Sequence, residues 1–182
     1  MSGAQTPTTK PGRETPDFRV QVWGFIVADF SARVASYVEL RRTLEQGLPG
    51  LTVTDDPGDF MRAELALAHR IRAARDGAKQ GDIFTPAISL EFKRVLRLAV
   101  DANIRAAIMD DNPGEFSIRI NGPYPKSRPH STVPPRILSQ LPSLPDDVEY
   151  RFLGRHLILY DRRANVILDR IRHAIRCADC DR

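Results

Sequence analysis

The chain has 182 residues, 42% hydrophobic and 27% charged, close to an ordinary globular average and far from collagen, low-complexity or disulfide-scaffold compositions. Lys and Arg number 27 against 23 Asp and Glu, a formal charge of +4. The length suits one domain, and no apolar run approaches the roughly 18 residues that a bilayer-spanning helix needs.

Lysine occurs only at Lys10, Lys79, Lys93 and Lys126, so the positive charge is overwhelmingly arginine, which forms bidentate pairs that lysine cannot. Acids interleave with bases along nearly the whole chain. The densest basic stretch, Arg70, Arg72, Arg75 and Lys79, has Asp76 inside it and reads as a solvated helix face. No nucleic-acid partner is expected.

Residues 1–16 carry Gly3, Gly12, Pro7, Pro11 and Pro16 without apolar periodicity and are expected to form a flexible lead. Ala4-Gln5-Thr6-Pro7, after Met1-Ser2-Gly3, reads like the beginning of a mature exported protein. A helical region is expected over 17–112. Its first helix runs from about Phe18 to Gln46, with Asp17 as N-cap and Val20, Trp23, Val27, Phe30, Val34, Val38 and Leu44 on one stripe. Gly47, Leu48 and Pro49 supply the stop. Phe18–Val22 also alternates as a strand would, but the helical stripe passes through it without a phase break.

A second helix starts at Asp56-Pro57-Gly58-Asp59, with Phe60, Met61, Ala63, Leu65, Leu67, Ala68 and Ile71 following, and fades between Gly77 and Gly81. The third opens with Thr85-Pro86 and carries Ile88, Phe92, Val95, Leu96 and Ala99. A break at Asp101–Asn103 leaves Ile104–Met109 as a fourth helical stretch, and Asp110–Gly114 ends it. Phe116–Ile120 alternates and reads as a strand or an extended edge.

Residues 113–147 form an extended, proline-rich connector, with one or two helical turns at Arg136–Leu141. In 148–182 the segments Tyr150–Leu153, His156–Tyr160 and Val166–Ile171 are separated by Gly154-Arg155 and by Asp161–Asn165. This is the pattern of an antiparallel meander, with Asn165 in a positive-φ turn position. The fold class is therefore α+β: a layer of three helices, with a short fourth available, followed by a small C-terminal antiparallel β-meander.

The segments Val133-Pro134-Pro135, Leu141-Pro142, Tyr150–Phe152, Leu157–Asp161 and Val166–Ile171 resemble a small module of exported bacterial proteins. The module is similar to the periplasmic nickel/cobalt-homeostasis family, in which a proline-rich lead precedes a β-hairpin and a return strand. The match covers residues 133–171. Across the whole chain, Gly81–Pro86, Met109–Phe116 and Tyr150–Leu159 look like an uncharacterised bacterial family. The resemblance implies a periplasmic or secreted, non-catalytic accessory protein.

Among residues able to carry chemistry, His173, Cys177 and Cys180 have the best metal-ligand spacing. Two thiolates and an imidazole supply three ligands for zinc or another transition metal. A closed site needs a fourth, from Asp179, Asp181, another histidine or a second chain. The alternatives are free thiols or a local disulfide. A redox role is disfavoured, because the pair follows the strands instead of opening a helix and has acids beside it.

Asp110, Asp111 and Glu115 cluster around a Pro-Gly turn near Arg119, which makes a possible polar site; the plainer reading is a helix stop with solvated acids. No serine sits in a nucleophile elbow, and the glycines form no phosphate loop. Tyr124, with Pro123, Pro125, Lys126 and Arg128, offers a recognition surface, although a connector wrapping the helices explains it as well. The expected function is a non-enzymatic accessory or binding domain, with a protein as a possible partner and no catalytic or organic-cofactor residues assigned. The alternatives are a metal-handling protein and an enzyme with a polar cleft where helices meet sheet.

Overall fold

The computed structural model describes residues 16–48, 57–111, 117–125 and 132–176. Among them are five helices and three strands: α1 (Pro16–Glu45), α2 (Pro57–Ala74), α3 (Pro86–Ala99), α4 (Ala102–Asp111), α5 (Pro135–Leu138), β1 (Val148–Leu153), β2 (His156–Asp161) and β3 (Val166–Ile171). The strands form one antiparallel sheet in the order β1-β2-β3. This is the expected α+β arrangement of helices first and strands last. No helix among the described residues is long and apolar enough to cross a membrane.

Local chemistry sets most helix ends. The Thr85 hydroxyl accepts from the Ile88 amide at 3.3 Å, with Pro86 in the first turn of α3. Asp101, expected to help break the third helix, does so by capping the fourth: its Oδ1 accepts from Ile104 N at 2.9 Å. Gly47 takes φ +73° just past α1, the left-handed stop that glycine adopts without a Cβ penalty. Asp17 is not the cap of α1, because the helix begins one residue earlier, at Pro16, whose fixed φ suits a first helical position. Asp56, expected to cap α2, lies outside the described residues.

The apolar stripes pack as expected only where a neighbour covers them. On α1, Phe30, Val34, Tyr37 and Val38 are buried and Trp23 packs against the core, but Val20 is 69% exposed. At about 1.5 Å per residue, the 30-residue α1 is more than twice as long as the 14-residue α3 it packs on, so its first turns overhang. On α2, Ala63, Leu67, Ala68 and Ile71 are buried while Met61 and Leu65 face outward. Phe92 of α3 sits at the centre of an aromatic cluster, 5.1 Å from Phe30, 5.7 Å from Phe84 and 6.4 Å from Tyr150 between ring centroids. Such pairs add about 0.5–1.5 kcal/mol each beyond the area they bury.

The sheet is covered on both faces. Tyr150, Phe152, Leu157, Leu159, Val166 and Leu168 join the helices in the main core. Leu153, Ile158, Tyr160 and Ile167 form a second cluster with Ile118 and Tyr124. Double coverage explains why β2 reads as a near-continuous apolar run and not as a strict alternation. Leu153 pairs with His156 across Gly154-Arg155, with Gly154 at φ +54°. Asn165, at φ +49°, turns β2 into β3.

Of the strand or extended edge expected at Phe116–Ile120, no strand forms over the described part, 117–120. That segment lies across the outer face of the sheet, where Ile118 O accepts from Arg170 Nη1 of β3 at 3.1 Å, and just after it the backbone pairs with β3 through Asn121 N to Ile167 O and Ile167 N to Gly122 O, both 2.8 Å. Its apolar side chains cover a face that the helices cannot reach. In the connector, helix forms at Pro135–Leu138, shorter than the expected Arg136–Leu141, and Val133, Ile137 and Leu141 are buried.

Two carboxylates, Asp161 and Asp169, are completely buried in the sheet. Asp161 accepts from the Tyr37 hydroxyl at 2.5 Å, Arg41 Nη1 at 3.2 Å and Ala164 N at 2.9 Å, tying β2 to α1. Burial, followed by the neighbouring Asp161 charge, raises the Tyr37 hydroxyl far above its ordinary pKa, so it stays a donor. Asp169 accepts from Gly81 N at 3.0 Å, Ile83 N at 2.8 Å and Phe84 N at 2.7 Å, tying β3 to the loop before α3. Arg75 stands over the Tyr37 ring, near Asp169, and donates to Leu168 O at 3.1 Å.

Candidate functional site

Of the residues singled out as metal ligands, His173 lies just past β3, at φ +48°, and Cys177 and Cys180 lie outside the described residues. The hairpin brings a second imidazole to His173. Because Leu157 pairs with Ile171, the residue before β2's Leu157 meets those that follow Ile171. The His156 and His173 ring centroids are 5.2 Å apart, and His156 Nδ1 accepts from His173 N at 3.2 Å. In the sequence His156 simply opens a strand segment, where a satisfied structural histidine is the ordinary case. The signal that pairs it with His173 is the register across the Asp161–Asn165 turn, which chain spacing alone does not show.

Burial, then the charges of His173, Arg170, Arg155 and Arg172, push His156 down to about 4. The imidazole is therefore neutral at pH 7. An unfolded histidine titrates near 6.5, so between about 6.5 and 4 the unfolded chain binds the extra proton. Stability is full above that window and falls as the pH drops through it. Thermal melts from pH 7.5 to 4.5 should show a smaller loss of Tm in His156→Gln than in the parent; equal losses would remove His156 as a contributor.

The polar cluster does not assemble. Asp110 and Asp111 end α4 and are exposed, Glu115 lies outside the described residues, and no hydrogen bond or ion pair among the described residues joins these aspartates to Arg119 or Arg105. Arg119 instead lines a polar cavity of about 340 Å³ with Arg72, Asp76 and Asn121. Asn121 was not singled out from sequence. It holds φ +61°, and its Nδ2 donates to Arg72 O at 3.0 Å and Arg75 O at 2.8 Å, closing the end of α2. Its amide reaches β3 as described above, so it stitches helix to sheet. Tyr124, read as a possible recognition residue, is buried against Tyr160, with ring centroids 5.3 Å apart.

A cavity of about 520 Å³ opens along the outer side of β1. One wall is four consecutive strand residues, Val148–Arg151; the other is the connector, with Val133, Leu138, Pro142 and Leu144. The Tyr150 hydroxyl donates to Pro142 O at 3.0 Å and holds the two walls together; burial raises its pKa well above the ordinary tyrosine value. Arg162 N donates to Asp147 O at 2.8 Å. By antiparallel alternation this turns the backbone of Glu149 and Arg151 toward β2 and that of Val148 and Tyr150 toward the groove. Val148 N is taken by Pro145 O at 3.2 Å, which leaves Tyr150 presenting its backbone at mid-groove. Arg151 pairs with Glu149, and Arg162 reaches Glu149 at 3.3 Å and Asp147 at 3.0 Å, giving the strand a charged margin. Nothing in the sequence pattern marks this groove, because it exists only where the connector docks beside the edge strand.

Against known proteins, no family model matches the chain, no curated protein is significantly similar to it, and no solved structure is either.

Proposed function

We propose that this protein is a non-enzymatic binding domain that takes an extended segment of a protein partner along the outer edge of β1. The observation that carries this reading is the trough of about 520 Å³ between the edge strand and the connector. An edge strand offers backbone donors and acceptors at alternate residues, and a wall of side chains gives the specificity that backbone pairing lacks. Leu138, Pro142 and Leu144 form an apolar wall for every second side chain of such a segment, and the Glu149–Arg151 margin sets its charge preference. An exported, accessory role accords with the resemblance of residues 133–171; fractionation of the native host would test it, and a wholly cytoplasmic protein would end it.

Display of random peptides against the intact protein should enrich extended sequences with alternating apolar residues. A bound peptide should shift the backbone amide of Tyr150 in heteronuclear NMR. Leu138 is 45% exposed, so Leu138→Glu should leave the fold intact and weaken binding by about tenfold or more, on the order of 1.4 kcal/mol. No enrichment over the Leu138→Glu control, or shifts confined elsewhere, would refute the reading.

The meeting of His156 and His173 favours a second reading, a transition-metal site that also uses Cys177 and Cys180. A neutral imidazole is a ready ligand, and two thiolates would offset the divalent charge. The His173 amide donates to Nδ1 of His156, so capture at either ring nitrogen gives up that contact, directly at Nδ1 or, at Nε2, because the ring proton then moves to Nδ1. Zinc titration of the reduced protein should give one ion per chain, lost in both His156→Gln and Cys177→Ser. A metal-free protein that stays so in excess zinc would remove this reading.

A further inference from the structure

A small recess of about 130 Å³ lies where α3, the start of α4 and the C-terminal stretch meet. Lys93 and Arg97 come to it from α3, Arg105 from α4, and His173 and Arg176 from the residues after β3; among the described residues no carboxylate lines it. Its remaining lining, including Leu96 and Ile175, is apolar.

Two nearby arginines on the same elements are charge-compensated: Arg94 pairs with Glu91 at 3.1 Å and Arg136 with Asp101 at 3.2 Å. Lys93, Arg97 and Arg105 have no such ion pair among the described residues. Arg105 Nε is buried without a hydrogen-bond partner, and Arg105 stands near the N-terminal end of α4, where the helix dipole disfavours a cation. Buried donors are normally satisfied, and like charges gathered beside an apolar floor repel one another unless an anion sits among them. The C-terminal stretch is held in place to complete the recess, since Ile175 N donates to Arg155 O at 3.2 Å and Ala174 and Ile175 are buried.

We infer that this recess, formed by Lys93, Arg97, Arg105, His173 and Arg176, is a binding site for a phosphate group. A tetrahedral dianion presents several acceptor oxygens to guanidinium and ammonium donors converging from different elements. The volume holds one such group and excludes a nucleotide. The site shares no lining residue with the β1 groove, so it stands or falls independently of the peptide-binding reading.

The test is calorimetric and NMR titration of the full chain with inorganic phosphate and, separately, glycerol 3-phosphate, at constant ionic strength in chloride. Saturable binding with one site per chain is expected, with shifts at Arg97, Arg105 and Ile175. Tighter binding of the ester identifies a phosphorylated metabolite as the source, and equal binding identifies free phosphate; both support the site. Arg97 is exposed, so Arg97→Gln should fold normally and lose roughly tenfold in affinity, the scale of one charge-assisted hydrogen bond; Arg97→Gln with Arg105→Gln should abolish binding. Absence of saturable binding, or affinity unchanged in Arg97→Gln, overturns the proposal. So does binding that emerges only in an Asp179→Asn, Asp181→Asn protein, which would make the acidic tail the occupant.

Discussion

Asp169→Ala is expected to destabilise the protein by about 4 kcal/mol, seen as a lowered urea midpoint at unchanged slope. The Asp169 carboxylate is fully buried and accepts from three amides of the loop before α3, those of Gly81, Ile83 and Phe84. Ile83 and Phe84 are themselves buried, so their amides have no solvent to turn to. Each orphaned buried donor costs about 1–3 kcal/mol, and partial entry of water reduces the sum. Asp169→Asn keeps one acceptor oxygen but aims an amide donor at other donors, so its cost should fall between parent and alanine. A loss under about 1 kcal/mol in the alanine variant would mean that the loop does not depend on this carboxylate.

Asp161 should matter by a different route. Removing it strands Arg41, 6% exposed, whose remaining carboxylates are more distant: Glu45 at 3.7 Å and Asp147 at 4.0 Å. Breaking a buried pair from one side costs about 3–5 kcal/mol, because the partner charge remains buried. Tyr37→Phe, which removes one hydrogen bond to a charged acceptor, should cost about 1.5–3 kcal/mol. The decisive variant is Asp161→Leu with Arg41→Met. If the desolvated charge is the source of the loss, the double variant will be more stable than Asp161→Ala despite losing more polar contacts. Chemical denaturation of the four proteins measures this directly. A double variant no better than Asp161→Ala would show instead that the hydrogen bonds hold α1 to the sheet.

These two anchors were invisible to pattern reading. Asp161 and Asp169 flank turn and strand positions where an exposed carboxylate is the ordinary expectation, and their partners lie 124 and 85 residues away in Tyr37 and Phe84. The same holds for Asn121, which resembles a turn residue until its side chain is seen on the last carbonyls of α2. His156 and His173 are 17 residues apart and become neighbours only through strand pairing.

Helix and strand identities were legible because they depend on local chemistry. Thr85-Pro86, Gly47, Gly154 and Asn165 impose backbone geometry whatever surrounds them, and the 3.6-residue stripes of α1 and α3 require a core somewhere. Which part of a stripe is covered, how the connector crosses the sheet, and where grooves and charge clusters arise depend on which distant surfaces meet. Val20 and Phe30 share a stripe, yet one is in solvent and the other in the core, because helix length is a property of one segment and coverage is a property of two. The β1 groove and the basic recess belong to that second class: the recess joins residues of α3 and α4 to the stretch after β3, and the groove's walls, though close in the chain, face each other only because the connector packs beside the edge strand.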